Sequence, residues 1–116
     1  MKSYDIDGVI TVGVRPERPC IIVSGRLAQF TPETRSQFAT LGIDPDIPLY
    51  LRPGGEPADR VVAGVWKATI INWARVEEHW EDDPLQAQII AAMCRVRIVM
   101  VKANASPSRV NEAESS

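Results

Sequence analysis

An alternation constrains this chain more than any single motif. Short runs of β-branched residues are separated by stretches in which apolar residues recur at helical spacing. Cys20–Ser24 ("CIIVS"), Pro48–Leu51 ("PLYL") and Val96–Val101 ("VRIVMV") are short, apolar and flanked by turn residues, so they read as buried strands. Met1–Tyr4 and Arg75–Trp80 are weaker strands, each half polar. Between them, Thr31-Pro32-Glu33 offers an N-cap, a proline at the first helical position and an acidic first turn, and Gly42 ends that helix. A second helix is predicted from near Pro57, with Val62, Val65, Trp66, Ile70 and Trp73 as its apolar stripe. A third is predicted from Asp83-Pro84, with Leu85, Ile89 and Met93 on its buried side. Strand–helix alternation implies an α/β, Rossmann-like three-layer fold with a roughly five-stranded parallel sheet, joined by right-handed crossovers.

One connection resists that pattern. Residues 6–19 carry Pro16 and Pro19 and no helical periodicity, which leaves no room for a crossover helix. "GVITVGV" is predicted instead to form a hairpin flap over the end of the sheet. With 116 residues, one domain is expected, spanning residues 1–102, and the small, polar residues 103–116 are predicted to form a loose tail. No apolar run approaches the roughly 18 residues of a membrane span, and no basic-then-apolar leader is present, so a cytoplasmic protein without a membrane partner is expected. Cys20 and Cys94 lie beside apolar runs and read as two reduced core thiols, with one buried disulfide as the alternative. A net charge of −2 argues against broad binding of nucleic acid but leaves a local basic rim open.

In open parallel sheets, ligands gather beyond the carboxyl ends of the strands. Here those ends read Asp5-Ile6-Asp7-Gly8, Ser24-Gly25-Arg26, Arg52-Pro53-Gly54-Gly55 and Glu81-Asp82-Asp83. A carboxylate pair, a hydroxyl beside a glycine and an acidic cluster on one edge fit magnesium-assisted phosphoryl transfer. Mg²⁺ takes oxygen ligands, typically one or two carboxylates with water and phosphate oxygens. A carboxylate can attack phosphorus, and a second one nearby can protonate the leaving oxygen and then activate water. In an extended chain, residues two apart face the same way, so Asp5 and Asp7 could address one phosphorus atom.

These residues resemble the four motifs of the haloacid dehalogenase superfamily of phosphotransferases, in order along residues 1–101. Asp5-Ile6-Asp7-Gly8-Val9-Ile10 is similar to the first motif, "CIIVSGR" with Ser24 to the second, Lys67 in "AGVWKATI" to the third, and Glu81-Asp82 with Asp83 to the fourth. The resemblance implies a motif-one strand at the centre of the sheet, with Asp5 as nucleophile and magnesium ligand. It implies Asp7 as acid/base, with its carbonyl on the metal. Ser24, Gly25, Arg26 and Lys67 would hold the phosphoryl oxygens, and Asp82 with Glu81 or Asp83 would complete the metal site. "IVSGR", "LYLR" and "DRVV…WK" are more narrowly similar to the phosphatase half of phage polynucleotide kinases.

The chain departs from the superfamily pattern in its short polar first strand, its missing first helix, its lack of a cap domain, and Glu81 in place of an aspartate. An open site suits a bulky phosphate ester, such as a nucleotide or a polynucleotide 3′-phosphate, or a lid supplied by a homo-oligomer. Arg15, Arg18, Arg26, Arg52 and Arg60 could rim it. Plain structural roles stand beside each assignment: turn caps for Asp5, Asp7 and Asp83, a strand-to-helix turn at Ser24–Arg26, and a solvated helix position for Lys67. His79 reads as structural, and Trp66 and Trp73 as core. The competing functional class is a catalytically weak or inactive domain that keeps the fold for binding.

Overall fold

The computed structural model describes residues 1–54 and 59–102. Pro57 and the predicted tail lie outside the described residues. Five strands and three helices follow in order: β1 (Lys2–Tyr4), β2 (Cys20–Leu27), α1 (Thr31–Leu41), β3 (Leu49–Arg52), α2 (Arg60–Ala74), β4 (Glu78–Glu81), α3 (Pro84–Met93) and β5 (Arg97–Met100). The strands form one all-parallel sheet in the order β3-β2-β1-β4-β5, so β1 is central.

The sheet is covered on both faces, and β2 shows why. Cys20 and Ile22 point to one side, where they pack with Tyr4, Ile6, Phe38 of α1 and Leu51. Ile21 and Val23 point to the other, against Ala68 and Ile71 of α2 and Ile90 of α3. Both cysteines are free thiols.

The central strand is short and polar because its neighbours match it pair by pair. Ser3 lies opposite His79 and bonds to its Nδ1 at 2.7 Å, while Tyr4 lies opposite Trp80 and stacks on it with ring centroids 5.6 Å apart. The predicted flap is not a hairpin. Ile10–Val12 form a 3-10 turn, and Val9 and Ile10 are buried in the core beside Tyr4 and Phe38. This segment fills the space that a first crossover helix would occupy. Burial of Val9 and Ile10 replaces the expected flap.

Helix boundaries follow local chemistry. Asp59 caps α2, its carboxylate accepting from the Val61 and Val62 amides, and Asp83 caps α3 in the same way. Thr31 is not a cap but the first residue of α1, its hydroxyl donating to the Ala28 carbonyl. Gly42 ends α1 in the left-handed conformation.

The buried stripes differ from the expected ones. In α2 the buried residues are Ala63, Gly64, Lys67, Ala68 and Ile71; of the expected stripe, Trp66 and Ile70 are half-buried against the core, while Val62, Val65 and Trp73 face outward. Small residues are needed because α2 packs closely on α3: a Cβ on Gly64 would meet Ile89 Cδ1 at 3.1 Å. In α3 the stripe is Gln86, Ala87 and Ile90, with Met93 exposed. No helix among the described residues is long and apolar enough to cross a membrane.

Candidate active site

Asp5 is the first residue after β1, and the ladder still holds it. Its amide donates to the Trp80 carbonyl at 3.1 Å, and its Oδ1 accepts from the Ile6 amide at 2.8 Å. Its other oxygen faces Lys67, with Nζ to Oδ2 at 3.1 Å. Lys67 comes from the small-residue stripe of α2, so its ammonium is carried inward over the sheet edge rather than into solvent. It also donates to Glu81 Oε1 at 2.9 Å. Both sides of the lysine are therefore carboxylate, and all three groups are buried.

Glu81 is tied down further. His79 Nε2 approaches Oε1 at 3.0 Å, and the Asp82 and Asp83 amides donate to Oε2. Burial pushes the His79 imidazole below its ordinary range, so it is neutral at pH 7. A neutral ring with the proton on Nε2 donates to Glu81 and accepts from the Ser3 hydroxyl at Nδ1, satisfying both nitrogens. The central strand thus supports the site through a buried chain: Ser3, His79, Glu81, Lys67, Asp5.

The charges of this chain divide unevenly. Burial raises Glu81, but the His79 hydrogen bond and the Lys67 charge outweigh it and hold the group at about 2. Burial raises Asp5 well above the usual carboxylate range; Lys67 opposes that shift and the Glu81 charge adds to it. Lys67 is desolvated, yet Asp5 and Glu81 keep its ammonium charged and raise it above its ordinary value. Two carboxylates cannot share one buried cation equally, and Asp5 is the one that holds its charge less readily.

Asp82 completes the group. One carboxylate oxygen from each of Asp5, Glu81 and Asp82 lies within 4.8 Å of the others. Burial and the Glu81 charge raise Asp82. Gly8 makes this approach possible, since a Cβ there would sit 2.0 Å from Asp82 Oδ2 and 2.3 Å from its Cγ, and its φ is +78°. Only glycine accepts both the conformation and the contact.

Asp7 is not beside Asp5 in an extended strand, because the chain turns directly after β1. Its carboxylate is exposed and held in a fork by Arg26, with Nε to Oδ2 at 2.9 Å and Nη2 to Oδ1 at 2.8 Å. The hydrogen bond to Arg26 keeps Asp7 below the usual carboxylate range. Arg26 reaches on to Thr34 Oγ1 at 3.2 Å. Ser24 is buried at the end of the regular β2–β3 pairing, its Oγ accepting from the Arg26 amide at 3.1 Å. Asp5, Asp7, Ser24, Gly25, Arg26 and Lys67 all line one open cleft of about 350 Å³, together with Asp82, Asp83 and Gln86.

Other expected residues fall elsewhere. Asp83 caps α3 and takes a fork from Arg60, with Nη2 to Oδ1 at 2.6 Å, so it stands outside the carboxylate trio. Arg60 lines the cleft but is committed to that pair. Arg15 and Arg18 are not on the rim. Arg15 donates to the Leu41 and Gly42 carbonyls at the end of α1, and Arg18 pairs with Asp44, both toward the opposite end of the sheet. The hairpin reading had carried both to the wrong edge. Arg52 is buried at 4% exposure, with Nε 3.4 Å from the Gly25 carbonyl, and supports the cleft wall from behind.

His79 and Ser3 belong to the site although sequence reasoning left them out. Their signal was faint: two polar residues on strands that become adjacent only in the sheet.

The donor set fits a hard divalent cation. Three carboxylate oxygens converge with more negative charge than Lys67 alone offsets, and oxygen donors of this kind suit Mg²⁺. Gln86 Oε1, buried on the same cleft without a hydrogen-bond partner, is an acceptor that suits the water of a hydrated ion. Because Glu81 already receives four donors, Asp5 and Asp82 are the carboxylates better disposed to ligate. Comparison with protein-family models, curated proteins and solved structures finds no match to this chain.

Proposed function

We propose that the chain is a magnesium-dependent phosphomonoesterase that works through an aspartyl-phosphate at Asp5. One observation carries the reading: Asp5 stands in one cleft with a buried lysine 3.1 Å away, a second carboxylate converging on it and the buried Ser24 of β2 lining the wall. A structural ion pair has no need of an open cleft or of Asp82.

When bound at Asp5 and Asp82, Mg²⁺ would neutralise charge on the phosphoryl oxygens and keep Asp5 ionised. Asp5 attacks phosphorus, an Asp5 O–P bond forms, and the ester P–O bond breaks. Lys67, the Ser24 hydroxyl and backbone N–H groups near Gly25 hold the phosphoryl oxygens. Asp7 gives its proton to the leaving oxygen, then takes one from the water that cleaves the acyl phosphate and releases inorganic phosphate.

Arg26 links binding to that proton transfer. Its fork to Asp7 favours the carboxylate, so Asp7 cannot act as an acid while the fork is closed. A phosphoryl group at Arg26 competes for the same N–H groups and frees Asp7 to take up a proton. Specificity is set beyond the phosphate, and because five aspartates line the cleft against three cationic side chains, an anionic ester depends on the bound cation to enter.

The test is hydrolysis of an aryl phosphate with and without Mg²⁺, beside Asp5→Asn, with acid-quench trapping of phosphate on the protein. Mg²⁺-dependent turnover and trapped phosphate, both lost in Asp5→Asn, are expected. Turnover that survives Asp5→Asn would exclude the covalent route. No turnover across a phosphomonoester panel would leave a binding domain.

A further inference from the structure

Beside the phosphate cleft lies a second one, of about 430 Å³, lined by Gly25, Arg26, Leu27, Phe30, Thr34 and Gln37. The two share Gly25 and Arg26, so they meet across one guanidinium. Arg26 shows the junction directly: its Nε and Nη2 hold Asp7 on one side, and its Nη1 reaches Thr34 Oγ1 on the other. The second cleft is mainly apolar. Phe30 ends the short 3-10 turn Ala28–Phe30 and stays 44% exposed, belonging to neither core cluster. Its ring thus lines the cleft while staying accessible to a ligand. Glu33 and Gln37 follow on α1 at spacings that keep them on the Phe30 side, and both line the cleft.

We infer that this cleft is the leaving-group subsite of the proposed phosphatase and takes a flat aromatic or heteroaromatic ring. The inference rests on the phosphatase reading for its geometry. A phosphate on Lys67 and Ser24 directs its ester oxygen past Gly25 and Arg26, the wall the two clefts share. A ring carried on that oxygen would lie against Phe30 and Leu27, with the Arg26 plane at its edge. The Gln37 amide and Glu33 carboxylate supply a donor, acceptors and a means of telling ring edges apart. Two ligand sources share this chemistry: a simple phenol and a nucleobase on its sugar.

The experiment has a kinetic arm and a binding arm. In the first, kcat/KM is measured for phenyl phosphate, a purine nucleoside monophosphate and glycerol phosphate, in the native chain and in Phe30→Ala. Both ring-bearing esters are expected to exceed glycerol phosphate by about tenfold or more. Phe30→Ala should raise KM for the ring-bearing esters and leave glycerol phosphate within twofold. A nucleotide preference abolished in Gln37→Ala, with phenyl phosphate unaffected, identifies the nucleobase as the source; equal treatment of the two identifies a bare ring.

In the second arm, amide chemical shifts of the full chain are followed on adding the unphosphorylated nucleoside, phenol, or ribose. Ring compounds should move Leu27, Phe30 and Gln37, and ribose should not. Equal hydrolysis of all three esters with no effect of Phe30→Ala overturns the subsite while leaving the phosphatase intact. If the chain hydrolyses nothing, the phosphatase reading fails, and the shift map alone decides the subsite: no ring-dependent shift overturns it.

Discussion

Gly8→Ala is a demanding test of the site because its cost has two separable parts. The first is backbone strain: with φ at +78°, an alanine would sit in a left-handed region that costs about 1–2 kcal/mol for a residue with a Cβ. The second is collision: the new Cβ would lie 2.0 Å from Asp82 Oδ2, 2.3 Å from Cγ and 2.9 Å from Cβ. The carboxylate must swing away, for which overpacking penalties of roughly 1–3 kcal/mol are typical. The single substitution should therefore cost about 2–5 kcal/mol, and about 4 °C in Tm per kcal/mol for a domain of this size.

Asp82→Ala alone should cost little without metal, since burial and the Glu81 charge already disfavour its ionised form. In the double variant only the 2.9 Å contact with Cβ remains, so most of the collision is gone and the strain persists. The two changes should therefore be non-additive by about 1–3 kcal/mol, the double variant being more stable than the sum of the singles. Denaturant titration of all four proteins measures the cycle, and calorimetric Mg²⁺ titration follows the site. On the proposed reading of Asp5 and Asp82 as the magnesium site, Gly8→Ala should lose Mg²⁺ binding as fully as Asp82→Ala. Additive costs, to within about 0.5 kcal/mol, would show that Gly8 and Asp82 do not meet.

Two further outcomes follow from the buried chain. Lys67→Met leaves Asp5 and Glu81 facing each other without a cation and should cost about 3–5 kcal/mol at pH 7, less at pH 4, where a carboxylate can take up a proton; a pH-independent loss in denaturant titrations would contradict the pairing. Glu81 has its folded value held at about 2, against about 4.5 when unfolded, so its contribution is present above pH 4.5 and is lost as the pH falls toward 2. His79→Ala removes the hydrogen bond that holds Glu81 down, and should move the midpoint of acid unfolding, followed by circular dichroism, to higher pH; an unchanged midpoint would show that His79 does not set the Glu81 charge.

Alternation and end-of-strand chemistry were readable in the chain itself. Five apolar runs with caps and stops between them determined an α/β protein with a parallel sheet, because period-2 and period-3.6 burial leave different marks. The strand ends determined which residues could meet, and Asp5, Asp7, Ser24, Lys67 and Asp82 do share one cleft. Tertiary structure decided what no local pattern carries. The α2 stripe was read only in part: Trp66 and Ile70 do pack against the core, but the close approach of α3 selects alanine and glycine, so Val62, Val65 and Trp73 point outward and Lys67 points in. Arg15 and Arg18 went to the far edge because Val9 and Ile10 were pulled into the core. The polar first strand found its support in Ser3–His79 and Tyr4–Trp80, pairs 76 residues apart that exist only once β1 and β4 lie side by side. Periodicity records which side of an element is wet; which neighbour stands on the dry side is settled only by packing.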